Sequence, residues 1–90
     1  DIAEQTRQCF RNIEKVLTTV GGRLDDLVAV TTYYTDQSQL PLIQQVRNEF
    51  LDADNAPTST SIMVAGLGHE DFLVELAPIA VVPDNRFVEP

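Results

Sequence analysis

Glu75 is the residue whose type fits its neighbours least. It stands between Val74 and Leu76, in a run from Phe72 to Val82 that otherwise has the apolar composition of a strand. A buried carboxylate must be paired or hydrogen-bonded, or its proton affinity rises. Such a group suits general acid–base work or the holding of a catalytic water. The alternative is an edge-strand glutamate facing water, an edge or a bulge being what Pro78 would also require. Upstream, Ser59, Thr60 and Ser61 set three hydroxyls in a row. With the adjacent backbone amides they can bind an anionic ligand. Their more ordinary role is to satisfy local backbone groups where a strand begins.

The remaining reactive side chains are isolated. His69 is the only histidine, so no histidine cluster for a metal exists, and it sits in a polar turn beside Glu70 and Asp71. Cys9 is the only cysteine; it falls on an apolar stripe and reads as a small core residue. It cannot form an internal disulfide, which favours a reducing compartment, the cytoplasm. Tyr33 and Tyr34 are packing residues with a polar tip, either of which can also line a cleft. There is no glycine-rich phosphate loop and no Cys-x-x-Cys pair. Nothing in this set calls for a cofactor or a metal.

These residues need a scaffold, and the apolar pattern supplies one. Ile2, Thr6, Cys9, Phe10, Ile13, Val16, Leu17 and Val20 recur at three and four, which predicts a helix over 2–20 stopped by Gly21-Gly22. From Leu27 to Thr35, β-branched and aromatic residues predict a strand. Val28, Val30, Thr32 and Tyr34 would face one way, and Leu27, Ala29, Thr31 and Tyr33 the other. Both sets are apolar enough for the strand to be interior. Ser38 is the expected cap of a second helix, with Pro41 in its first turn and Leu40, Ile43, Val46, Phe50 and Leu51 on its apolar face. Ser59 to Gly66 and Phe72 to Val82 are predicted strands joined by a polar turn, followed by a polar, irregular tail. Helix, strand, helix, strand, strand is the order of an α+β layer with helices on one face of a sheet. The other face still carries Ala, Val, Ile and Leu, and needs covering by further strands or by a partner subunit.

Ninety residues make one domain, 1–90, with a thin core. Chains this short bury only roughly 60–65% of their unfolded surface, so self-association would help. Six basic residues against 14 acidic ones give a net charge of −8, and the basic residues form no stripe. That argues against nucleic acid as a partner, because phosphate binding needs clustered Lys and Arg. No apolar run approaches the roughly 18 residues of a membrane span, and no leader resembling a signal peptide stands at the start.

Three stretches taken together resemble one known family. They are Asp1-Ile2-Ala3-Glu4-Gln5-Thr6-Arg7-Gln8 followed by Asn12-Ile13, then Val28-Ala29-Val30-Thr31-Thr32-Tyr33-Tyr34-Thr35-Asp36, then Val74-Glu75-Leu76-Ala77-Pro78-Ile79-Ala80-Val81. In order and spacing they resemble the RidA (YjgF) family of reactive-intermediate imine and enamine deaminases. The resemblance implies a chorismate-mutase-like α+β fold, two helices on a mixed sheet, and a homotrimer with ligand clefts between subunits. Family members normally carry a strand hairpin ahead of the first helix, so the chain is expected to lack N-terminal strands. Glu75 falls on the family's water-positioning glutamate. Pro57-Thr58-Ser59-Thr60 matches a Pro-Ala-Arg-Ser segment, which puts Ser59 where a substrate-clamping arginine usually stands. Ser61 matches a nearby small residue, often cysteine, and Gln44 an asparagine early in the second helix. Glu75 is thus the expected catalytic residue, and Ser59, Thr60, Ser61 and Gln44 the expected substrate contacts. A serine cannot supply an arginine's bidentate grip on a carboxylate, which points to an arginine-lacking subgroup. Two functions follow: hydrolysis of an imine, enamine or related amino-group metabolite, or non-catalytic binding of a small metabolite by a regulatory trimer.

Overall fold

A computed structural model describes all ninety residues, Asp1 to Pro90. The three-and-four periodicity becomes helix α1, Ile2–Thr18. Its first turn is capped by the Asp1 carboxylate, which accepts from the Glu4 N–H at 2.9 Å. The helix ends two residues before the expected stop. The Gly22 N–H returns to the Leu17 carbonyl at 2.8 Å, and Gly21 takes the left-handed conformation, φ 78°, that makes this return possible. Ile2, Thr6, Phe10 and Leu17 form the buried stripe. Val16, expected on it, is 66% exposed. At about 100° per residue it lies well round the helix from Leu17.

Strand β1, Leu27–Tyr34, is the interior strand, as its two apolar faces required. Its register slips between Leu27 and Ala29. The slip turns Leu27 into the core and leaves Val28 exposed, the reverse of simple alternation. Beyond β1, Ser38 does not cap the second helix. The Asp36 carboxylate instead accepts from the Ser38 N–H and hydroxyl at 2.9 and 2.7 Å and sets a short 3-10 turn. Helix α2, Leu40–Phe50, then starts with Pro41 in its first turn.

Strand β2 is Thr58–Met63 and strand β3 is Val74–Ala80. They do not pair with each other. The sheet order is β2-β1-β3, with β1 parallel to β2 and antiparallel to β3. Parallel pairing needs a crossover, and α2 is that crossover. The opposite side of β1 then remains for β3, which leaves Pro78 on an edge strand.

The helices lie together on one face of this mixed sheet. Phe10 and Phe50 stack with ring centroids 5.0 Å apart. Arg7 bridges α1 to α2 through Glu49 at 3.0 and 2.9 Å and also holds Glu4. Beneath them sit two buried groups, Ile2, Tyr34, Ile43 and Val74, and Leu17, Leu27 and Val30. All six residues of β2 are exposed. The tail is more ordered than its composition suggests. Arg86 reaches Asp26 and the Gly21 carbonyl, and the Val88 N–H donates to Val20 at 3.0 Å, so residues 83–88 fold back on the corner between α1 and β1.

Candidate functional site

The pairing register fixes what each strand residue can share. Directly paired residues lie on one face of a sheet. Tyr33 pairs with Glu75 on one side and with Ile62 on the other. Ile62, Tyr33 and Glu75 therefore make a row across the face turned away from the helices. The next rows on that face are Thr60, Thr31 and Ala77, then Thr58, Ala29 and Ile79. Glu75 is exposed, as is most of this face, while Tyr33 is half-buried between its neighbouring strands. Of the two readings of Glu75, the isolated chain shows the solvent-facing glutamate on an edge strand.

The same register divides the hydroxyl run. Thr60 shares the open face with Glu75, but Ser59 and Ser61 pair with Val30 and Thr32 and belong to the helix-side face. They are nevertheless exposed there, because the helices do not cover β2. Gln44 is exposed in the first turns of α2. One chain thus brings Thr60 and Glu75 to a common face and sends Ser59 and Ser61 to the opposite one.

Glu75 also stands at the rim of a groove of about 670 Å³ along the free edge of β3, between that edge and the Gln5, Gln8, Cys9 and Asn12 side of α1. Burial pushes the Cys9 thiol up from its ordinary value, and the Glu75 charge pushes it further, against a smaller opposing contribution from the Leu76 amide. Cys9 is therefore held as the neutral thiol, as a core role requires.

Sequence reasoning missed Gln5. Its carboxamide donates to the Asp71 carbonyl at 2.9 Å and accepts from the Leu73 N–H at 2.8 Å. It imitates a strand neighbour and ties the segment before β3 to α1. No spacing rule marks such a residue, since its partners lie 66 and 68 positions away. His69 serves its own turn: Nδ1 accepts from the Asp71 N–H at 3.1 Å, and the exposed ring lies 5.4 Å from that of Phe72. No three His, Cys, Asp or Glu side chains converge as a metal site would need. No helix is long and apolar enough to cross a membrane.

A family model described as Endoribonuclease L-PSP matches residues 1–82. The RutC family protein YjgH of Escherichia coli is 34% identical over 86 residues, covering 94% of this chain. The Escherichia coli protein described as "Putative reactive intermediate deaminase TdcF" is 29% identical over 83 residues. The chain spans 64% of the length of each of these two proteins. Among solved structures, TdcF with bound serine superposes with a TM-score of 0.83 at 27% identity, over 92% of this chain and 66% of that one. A Mycobacterium tuberculosis member of the YjgF/YER057c/UK114 family gives 0.83 at 33% identity, over 90% of this chain and 69% of its own. The α+β layer is the chorismate-mutase-like fold of these proteins, and the chain belongs to the RidA (YjgF) family.

Proposed function

We propose that this chain forms a single RidA-like domain, 1–90, of a deaminase that hydrolyses imine, enamine or related amino-group metabolites, with Glu75 holding the attacking water. The observation that carries the reading is the position of Glu75, a solvent-reachable carboxylate on the open sheet face, in a strand within the matched family region. The similarity to TdcF supports the reaction class. Such a carboxylate can accept a proton from water as the oxygen adds to a C=N carbon. Ser59, Thr60, Ser61 and Gln44 are the proposed substrate contacts.

Ser59 and Ser61 emerge on the face opposite Glu75, so a cleft that uses both must be built between copies of the chain. A homotrimer with inter-subunit clefts meets that need and covers the open apolar face, which carries Ile62 and Ile79. The ligand is a small metabolite rather than nucleic acid, in keeping with the charge of −8. The compartment is the cytoplasm, in keeping with a single free cysteine.

The test is ammonia release from imines generated in situ by an amino-acid oxidase, using the protein at its natural full length. Release above background that disappears in Glu75→Ala is the expected result. No release, or equal release from the variant, refutes the reading. One feature favours the second reading, a binding or regulatory trimer: an exposed Ser59 gives no bidentate grip on a carboxylate. Tight metabolite binding without turnover would establish it.

A further inference from the structure

The two adjacent tyrosines of β1 have opposite fates. Tyr34 is 4% exposed, packs in the core with Ile2, Ile43 and Val74, and donates its hydroxyl to Gln37 at 2.8 Å. Tyr33, one residue earlier, points to the other face of the sheet, as successive strand residues do. There it is the direct cross-strand partner of Glu75. Opposed residues in an antiparallel pair have Cβ atoms roughly 4.5–5.5 Å apart, within reach of a phenol and a carboxylate on flexible stems. Ile62 is its direct partner on the parallel side. The register therefore sets a phenol and a carboxylate at directly opposed positions of the open face, on the central strand and its antiparallel neighbour.

Resting on the deaminase reading, we infer that Tyr33 is a catalytic residue of the Glu75 site, the general acid that protonates the substrate nitrogen while Glu75 acts as the base. Imine hydrolysis needs both roles twice. In the addition step, Glu75 takes a proton from water, the water oxygen bonds to the imine carbon, and the Tyr33 O–H proton passes to the nitrogen. The product is a carbinolamine. The proton on Glu75 then returns to the Tyr33 oxygen, which restores the pair. In the collapse step, Glu75 takes the carbinolamine hydroxyl proton as the C=O bond forms. Tyr33 protonates the departing nitrogen as the C–N bond breaks, and the proton again returns. The sum is imine plus water giving carbonyl compound plus ammonia, with no other reactant. Thr60, on the same face one row away, can touch the substrate but cannot act as so ready an acid.

The experiment compares wild type, Tyr33→Phe and Glu75→Gln at full length, by initial rates of ammonia release from an oxidase-generated imine across pH 5–9. Phenylalanine keeps the ring and its packing and removes only the proton. Tyr33→Phe should lower kcat by about tenfold or more, as loss of a general acid does, with KM within about threefold. Its deficit should shrink as pH falls, because solvent then protonates the imine nitrogen; a purely structural role would leave the deficit independent of pH. Turnover lost in Glu75→Gln but unchanged in Tyr33→Phe overturns this inference alone, as does a pH-independent deficit. Absence of turnover in wild type overturns the deaminase reading, and this inference with it.

Discussion

Replacing Gly21 by alanine tests how the tail is held. Gly21 has φ 78°, and a Cβ built on it would fall 1.9 Å from the Arg86 carbonyl oxygen. The first cost is conformational: a left-handed alanine is unfavourable by about 1–2 kcal/mol. The second is steric. Backbone on one side meets backbone on the other, so neither atom can rotate away, and residues 86–88 must lift from the corner. Lifting breaks the bond from the Val88 N–H to the Val20 carbonyl, worth about 1 kcal/mol net, and frees Arg86 from Asp26. The expected destabilisation is about 2–3 kcal/mol, which for a domain of this size lowers Tm by about 10 °C or more. The assay is thermal and urea denaturation of four proteins at one concentration: wild type, Gly21→Ala, a chain lacking 83–90, and the combination. Without the tail the steric part disappears, so the same substitution should cost only the conformational 1–2 kcal/mol. An equal penalty with and without the tail would refute the reasoning.

Two further outcomes follow from groups whose proton affinity the fold changes. Hydrogen bonds from Arg86, opposed by burial and aided by the Arg23 N–H, hold the Asp26 carboxyl below its ordinary value. A folded-state value below the unfolded one gives stability that is present above about pH 4 and is lost as pH falls through the folded value. The stability difference between wild type and Asp26→Asn, from urea titrations at pH 7 and pH 3, should therefore shrink at the lower pH; a constant difference would contradict the assignment. The Cys9 thiol, pushed up by burial and by Glu75, should alkylate slowly with iodoacetamide at pH 8 in the folded protein and faster in Glu75→Gln, read by mass spectrometry. Rates identical in the two proteins would remove the Glu75 contribution.

The parts of the fold legible in the sequence were those set by local pattern. The stripe from Ile2 to Leu17 marked α1, the two apolar faces of β1 marked a central strand, and Pro78 marked an edge. What escaped was non-local. Ser59 to Gly66 and Phe72 to Val82 read as neighbours because one turn joins them, yet the crossover α2 makes β2 a parallel partner of β1 and places β1 between them. The bulge at Leu27 and Ala29 reversed the phase of alternation at the start of β1, which no period-two pattern can reveal. Ser38 does not cap α2 because its hydroxyl donates to Asp36, which caps the preceding 3-10 turn and leaves Gln39 at the helix start without a side-chain cap. For the site, Glu75 stood out by composition. The separation of Thr60 from Ser59 and Ser61 did not, since only pairing decides which hydroxyl shares a face with the carboxylate.

The sheet order also has a consequence in time. β1 is made early and pairs on both edges, but its antiparallel partner follows about forty residues later, from Tyr34 to Val74. At roughly 5–20 residues per second, a ribosome needs about 2–8 s to produce that partner. During this interval β1 and α2 can receive only β2, and the β1 edge that β3 will cover presents a row of unpaired amides and carbonyls beside Tyr33 and Val30. The nascent chain is thus most exposed to wrong pairing along the edge that later holds Glu75. Any factor that shelters the growing chain has the most effect before residue 74 emerges.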